Sequence, residues 1–423
     1  MVIKRRRFIK TAIAAGSMAM LPKIALALKK PSTPRLVVVI GGGFAGATAA
    51  KYLKMWSPET EVIMIERNAQ FVSCPQSNLV LSGNRTLQQL TYDYNTLADK
   101  YDVKTVQAEV MTIDTDKQHV TLHDGAVVNY DRLVIAPGVD FIYDDLPMLA
   151  SYDAQNIVPH AWKAGPQTEI LKQQLVSMKK GGTVIMTVPP TPFRCPPGPY
   201  ERACQIALYL KNHNPSGKLI ILDANGDVAS KKALFKGAWQ EHYAGLIDYI
   251  PSSMIESVDL AKLNVETEFD QFSADVLNVI PPQKAGKVAA MAGVINIDQR
   301  WCEVDFLTYE STVKNNVHVI GDAVHAVLPK SGHMANAQAK VCAAAIASLL
   351  AETEPEQQPV FSNTCYSFVD GQQAGHVAAV YRYDKQQQAM IAMPGGGVSD
   401  QASKLEGVYA DAWAHNIWHD ILK

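Results

Sequence analysis

Two runs of β-branched residues, each leading through a turn into a helix-forming stretch, and a separate strand-and-helix region near the C-terminus predict an α/β fold. The expected architecture is two dinucleotide-binding-type (Rossmann-like) domains plus a small C-terminal α+β domain. A chain of 423 residues is long enough for two to three domains. Net charge is -2 with no long run of one sign, which argues against a nucleic-acid surface.

The N-terminus differs in kind from the rest. Residues 4–10 are basic around Arg5, Arg6 and Arg7, residues 11–21 are short, small and apolar, and Ala25-Leu26-Ala27 offers an A-x-A cleavage site. This pattern predicts a signal peptide over residues 1–27. Arg5-Arg6 ahead of Phe8-Ile9-Lys10 resembles the twin-arginine signal, which implies export of a folded protein to the periplasm. No later apolar run reaches the roughly 18 residues of a spanning helix, so no membrane span is expected in the mature chain.

The first domain is expected over residues 35–150. After Arg35, residues 36–40 form a continuous, mostly β-branched apolar run, the mark of a strand buried on both faces. Gly41, Gly43 and Gly46 then carry G-x-G-x-x-G into a helix expected over 47–55. Such glycines allow a tight turn, backbone approach to a pyrophosphate and close helix packing, while the helix N-terminus favours phosphate. A second apolar run, 61–65, ends at Glu66, where a carboxylate accepts ribose hydroxyls. Strand, glycines, helix, strand and acid in register are a specific signal for a dinucleotide.

Two distant segments point to FAD rather than NAD. Residues 130–138, ending in Ala136-Pro137-Gly138, resemble the strand and A-x-G turn of flavin disulfide-reductase relatives. Residues 316–323 resemble their second FAD signature, a strand ending in Gly321-Asp322. The resemblance implies that Asp322 touches the ribityl chain and that the helix expected over 331–350 points its N-terminus at the flavin. Lys330 just before it is expected to stabilise negative charge on the reduced ring. The second part of the FAD domain is therefore set at 286–353.

The intervening domain is expected over 151–285. Residues 180–188 supply its strand, but the turn that should hold a second nucleotide reads Pro189-Pro190-Thr191-Pro192-Phe193-Arg194-Cys195. Proline removes N–H donors that a phosphate needs, so no nicotinamide site is expected. The loop instead presents Cys195 at the carboxyl end of a strand, where α/β sheets place their ligands. Arg194 beside it, and the positive end of a helix expected over 200–210, would favour a thiolate there.

The segment from Pro192 to Glu201 resembles the active-site segment of the flavoprotein subunit of flavocytochrome c sulfide dehydrogenase and, more loosely, of sulfide:quinone oxidoreductases. The resemblance covers nearly the whole mature chain and implies roles for three of the six cysteines. Cys365, in Asn363-Thr364-Cys365-Tyr366-Ser367, is implied to pair with Cys195 as a redox disulfide. Cys74, in Ser73-Cys74-Pro75-Gln76-Ser77-Asn78, is implied to form a thioether to the 8α-methyl of FAD, with Asn78 in the same cofactor-binding segment. Cys204 is a rival partner for Cys195, Cys342 reads as helix packing, and Cys302 has no assigned role. None of the six lies in C-x-x-C-H, so no haem is attached to this chain, and no spacing reads as a zinc site. Glu201 is a candidate to move protons or, equally, an acid that complements the helix dipole.

Residues 351–360 read as a polar linker, followed by a C-terminal domain over 360–423 with strands near 366–369 and 375–383. A final helix, expected over 406–422, carries Trp413 and Trp418, both expected mainly in the core. The resemblance implies oxidation of sulfide to zero-valent sulfur through the disulfide and FAD, with electrons leaving to a separate c-type cytochrome. A sulfide:quinone oxidoreductase is the alternative, and a non-catalytic flavin-bearing partner of a cytochrome is the alternative of another class.

Overall fold

The computed structural model describes residues 34–423; the expected signal peptide lies outside the described residues. In chain order, the elements that build the site begin with strand β1 (Leu36–Ile40), helix α1 (Phe44–Trp56), β2 (Glu61–Glu66), β3 (Lys104–Gln107) and β4 (Arg132–Ile135). Next come β5 (Thr183–Val188), α2 (Gly198–His213), β6 (Lys218–Asp223), β7 (Ile247–Ile250) and β8 (Val276–Asn278). The chain closes with β9 (Val317–Val319), α3 (Gly332–Leu350), β10 (Val360–Phe368), β11 (Ala374–Asp384) and α4 (Lys404–Leu422).

The first sheet has the order β9-β4-β1-β2-β3 and is parallel throughout. Val37, Val38 and Val39 in its centre are fully buried, as expected of a strand covered on both faces. Helix α1 begins at Phe44, three residues ahead of the sequence expectation, because Gly43 is already its N-cap and leaves the first N–H groups free of any side-chain cap. Gly41 has φ +101°, and a Cβ on Gly46 would stand 1.7 Å from the Gly41 carbonyl oxygen. Both positions therefore demand glycine. Small residues on α1 and α3, among them Ala47, Ala50, Ala339 and Ala343, are buried where the two helices pack.

The second sheet, β7-β6-β5-β8, is also parallel. Asp223 ends β6 as Glu66 ends β2, but its carboxylate is already taken. The Tyr200 and Tyr249 hydroxyls donate to it at 2.8 and 3.0 Å. The expected helix over 200–210 extends to Gly198–His213, bringing Glu201 into its first turn.

Beyond an exposed stretch over 351–358, β10 and β11 form an antiparallel hairpin. Buried bonds tie it to the middle of the chain. The Phe368 N–H donates to Glu201 at 2.8 Å, the Gln205 side chain to the Asp370 carbonyl at 3.0 Å, and the Tyr243 hydroxyl to the Val369 carbonyl at 2.7 Å. Helix α4 packs on the first sheet's layer, where the Lys51 ammonium caps its end through the Asp420 and Lys423 carbonyls at 2.8 and 3.0 Å. Among the described residues, no helix is long and apolar enough to cross a membrane.

Candidate active site

One cavity of about 710 Å³ runs from the Gly41–Gly43 turn to the C-terminal hairpin. Its walls include Glu66, Cys74, Asn78, Gly138, Cys195, Glu201, Gly321, Asp322 and Cys365, so residues far apart in sequence converge on one space. Lys330 is not among the lining residues. Its ammonium turns onto the Asp322 and Val324 carbonyls at 2.8 and 2.7 Å and over the Trp301 ring at 3.9 Å, and burial pulls it down to about 8. The Lys330 ammonium therefore does not line the cavity itself and reaches it through Asp322, whose carboxyl it lowers against burial. It is the Lys330 carbonyl that matters locally, because it accepts the Cys195 N–H at 2.7 Å.

Cys195 sits in the left-handed region, φ +57°, which turns the chain sharply into α2. Its sulfur meets that of Cys365, which reaches the same point from β10. The two are free thiols in hydrogen-bonding contact, both half-buried. The hydrogen bond from Cys195, helped by the Lys231 charge, outweighs burial and pulls Cys365 down to about 7. Cys195 moves the other way, pushed up by that hydrogen bond and by desolvation. The sequence reading placed the thiolate at Cys195, and Arg194 does favour the charged form there, but the hydrogen bond with Cys365 and burial work against it. Arg194, on the cavity wall beside Cys195, donates to the Cys74 sulfur at 3.3 Å and to the Trp162 carbonyl.

Glu201 is buried beside the thiols. It accepts the Phe368 N–H at 2.8 Å and the Asn78 amide at 2.8 Å, and burial raises its carboxyl above the ordinary range. Asn78 in turn accepts from Arg202 at 3.1 Å, so it braces the thiol wall of the cavity. Arg202 also reaches the His160 and Ala161 carbonyls and Asn278, and burial pulls it down to about 9. His160, its ring centre 4.1 Å from that of Phe141 and tilted 39° to it, is driven down to about 3 by burial and by the cations Lys163, Arg202 and Arg194, and so is neutral.

Sequence reasoning missed Lys231, Arg202, His160 and Trp162, none of which lies in a recognisable motif. The two C-terminal tryptophans part company. Trp418 is buried and donates to Ser73 at 2.8 Å, whereas Trp413 lines the cavity with its indole N–H unpartnered. Cys204 is fully buried in the core of the middle domain, where burial raises its thiol, and it does not meet the cavity. Cys302 and Cys342 are buried in the core built on the first sheet. Among the described residues, no cluster suits a metal ion.

Three family models match the chain. The central part of the flavoprotein chain of flavocytochrome c sulfide dehydrogenase matches residues 168–281, its flavin-binding part matches 357–422, and pyridine nucleotide-disulphide oxidoreductase matches 35–177. The flavoprotein chain of sulfide dehydrogenase from Chlorobaculum thiosulfatiphilum is 52% identical over 44 residues, which is 10% of this chain and 92% of that one. The chain belongs to the flavoprotein family of flavocytochrome c sulfide dehydrogenase.

This family stands beside the sulfide:quinone oxidoreductases. The mitochondrial enzyme of Dictyostelium discoideum is 22% identical over 318 residues, covering 72% of this chain and 69% of its own. The solved sulfide:quinone oxidoreductase of Aquifex aeolicus has the same fold, with a TM-score of 0.73, 19% identity, and coverage of 92% and 91%.

FAD is the cofactor of this flavoprotein family, and the cavity's residues fit it. A buried Asp322 oxygen has no protein partner, and burial raises this carboxyl. An atom so placed needs an outside donor such as a ribityl hydroxyl. A Cβ on Gly43 would meet nothing within 4 Å, which leaves the open backbone that a pyrophosphate requires. Glu66 already accepts the Gly42 N–H at 2.7 Å and keeps acceptor capacity for ribose.

Proposed function

We propose that this protein oxidises sulfide to zero-valent sulfur or polysulfide through a Cys195–Cys365 disulfide and FAD, and passes the electrons to a separate c-type cytochrome. The observation that carries the reading is the meeting of Cys195 and Cys365 on the wall of a flavin-sized cavity. Gly41, Gly43, Gly46, Glu66, Gly138, Gly321 and Asp322 would hold the FAD, and Cys74 is proposed to bond to it. FAD supplies a two-electron acceptor that can release electrons singly.

The residues then divide the work. Arg194 and the buried Arg202, both on the Cys195 side, draw the hydrosulfide anion inward. Its sulfur attacks one cysteine of the disulfide; one S–S bond forms, the other breaks, and the products are a cysteine persulfide and a cysteine thiolate. A second hydrosulfide takes the outer sulfur as the first link of a polysulfide and leaves the cysteine as a thiol; the thiol and thiolate then lose one proton and two electrons, which bound FAD would accept, and the disulfide re-forms. Glu201, protonated more readily than an exposed glutamate, takes and returns the proton beside the two sulfurs.

The cytochrome as acceptor is supported by the flavocytochrome c family models over 168–281 and 357–422. The second reading, a quinone acceptor, is supported by the fold shared with the Aquifex aeolicus enzyme. Export to the periplasm is proposed on the N-terminal residues alone. Anaerobic addition of sulfide should bleach the flavin, and cytochrome c rather than a soluble quinone should restore its colour. A flavin that stays oxidised in sulfide would refute the reading; recovery by quinone alone would move the protein to the second one.

A further inference from the structure

Lys231 lies on no motif, yet it is 6% exposed and stands against the strand that carries Cys365. It adopts φ +54° at the N-cap of the helix Lys232–His242, a left-handed conformation that costs strain in a non-glycine residue. The turn sends its side chain inward, whereas its neighbours Lys232 and Lys236 both pair with Asp227. The ammonium donates to the Cys365 carbonyl at 2.7 Å, the Ser367 hydroxyl at 3.0 Å and the Gly375 carbonyl at 3.1 Å. All three acceptors are neutral, so the charge is hydrogen-bonded but not neutralised, a costly arrangement for a buried cation.

The anionic or titratable groups that feel it are Cys365, Glu201, Cys195 and Glu406. Glu406 is paired with His376 at 3.0 Å. Glu201 is held by Phe368 and Asn78 and is kept towards its neutral form by burial. Arg194 and Arg202 stand on the Cys195 side, and His333 meets the chain one residue away, at Thr364. The thiol pair is what remains to balance the ammonium.

We propose that Lys231 is a positioning residue whose ammonium, anchored on the Cys365 backbone, seats the negative charge of the reduced Cys195–Cys365 pair on Cys365. The assignment deepens the sulfide-oxidation reading and rests on it for its catalytic meaning. A reduced pair with one proton and one seated charge is ready to give up two electrons after losing a single proton, rather than two.

The test is alkylation of the reduced, flavin-loaded protein with iodoacetamide across a pH series, with each cysteine quantified by mass spectrometry. In wild type, Cys365 should react at lower pH than Cys195. Lys231→Gln keeps hydrogen-bond donors and removes the charge, so the Cys365 midpoint should rise by about one pH unit or more, and Lys231→Arg should restore it. Earlier reaction of Cys195 in wild type overturns the proposal, and so does an unmoved midpoint in Lys231→Gln. The wild-type order decides the matter even if the glutamine variant does not fold. Alkylation needs neither sulfide nor turnover, so a protein with this profile that ignores sulfide would keep the role of Lys231 and sink the sulfide reading alone.

Discussion

The Arg194 guanidinium donates to the Cys74 sulfur across 3.3 Å, linking the loop that carries Cys195 to the cysteine proposed to hold the flavin. If Cys74, on the cavity wall, forms the proposed thioether, acid-precipitated protein should stay yellow, and Cys74→Ser should release its flavin into the supernatant. Flavin that washes out of the wild type in acid would remove the thioether from the scheme.

The two glycines that open α1 should fail in different ways. Gly46→Ala drives a Cβ to 1.7 Å from the Gly41 carbonyl oxygen, so the turn must deform, at about 1–3 kcal/mol of fold stability. Gly43→Ala meets no atom of the chain within 4 Å and should fold normally while holding FAD poorly. Melting curves of the two flavin-free variants check this; equal melting temperatures would contradict it.

Cys195→Ser and Cys365→Ser should each abolish sulfide-driven bleaching with FAD still bound. Cys204→Ser, Cys302→Ser and Cys342→Ser should leave turnover intact. Each buries a hydroxyl in apolar surroundings, so each should lower stability by about 1–3 kcal/mol. Peptide mapping of the oxidised protein without reductant should recover Cys195 joined to Cys365; recovery with Cys204 would overturn the pairing.

Glu201 predicts a pH effect on stability. Burial raises its carboxyl, so the folded chain keeps this proton to higher pH than the unfolded chain does. Between the ordinary glutamate value and the raised one, the folded state binds more protons, and stability falls as pH rises. Glu201→Gln removes that slope, which amounts to at most about 1.4 kcal/mol for each pH unit crossed. Urea unfolding of both proteins across the window should show the wild type losing ground to the variant as pH rises; a constant gap would refute the argument.

Neither NADH nor NADPH should reduce the flavin at a rate like that with sulfide. The turn after β5 is built from Pro189, Pro190, Pro192 and Phe193, and the acid at the end of β6 is occupied by Tyr200 and Tyr249. Stopped-flow mixing checks it: rapid bleaching by either nucleotide would show that a second dinucleotide is accepted after all.

The flavin half of the site was legible because it is local. Strand, glycine turn, helix and acid succeed one another within residues 35–66, and each step has its own residue signature. The cysteines were legible through family resemblance and not through spacing. The charges around them were not. Lys231 and His160 reach the site by tertiary packing from segments whose neighbours announce nothing, and Arg202 lies one residue past the Pro192–Glu201 segment, where only the fold shows that it turns inward. For Arg194 and Lys330 the positions along the chain were legible but the hydrogen-bond partners were not, because side-chain direction follows from which carbonyls and sulfurs lie within reach, and that is decided only in the folded chain.

The hairpin that brings Cys365 is fastened to the middle of the molecule by Glu201, Gln205, Lys231 and Tyr243, all buried, while the chain leading into it at 351–358 is exposed. Covalent continuity and structural attachment therefore lie in different places. A protease that nicks the exposed stretch cuts the peptide without loosening the hairpin, and the two fragments should travel together through gel filtration, still yellow, separating only in denaturant. The roof of the cavity belongs to the walls beneath it rather than to the strand of peptide by which it arrives.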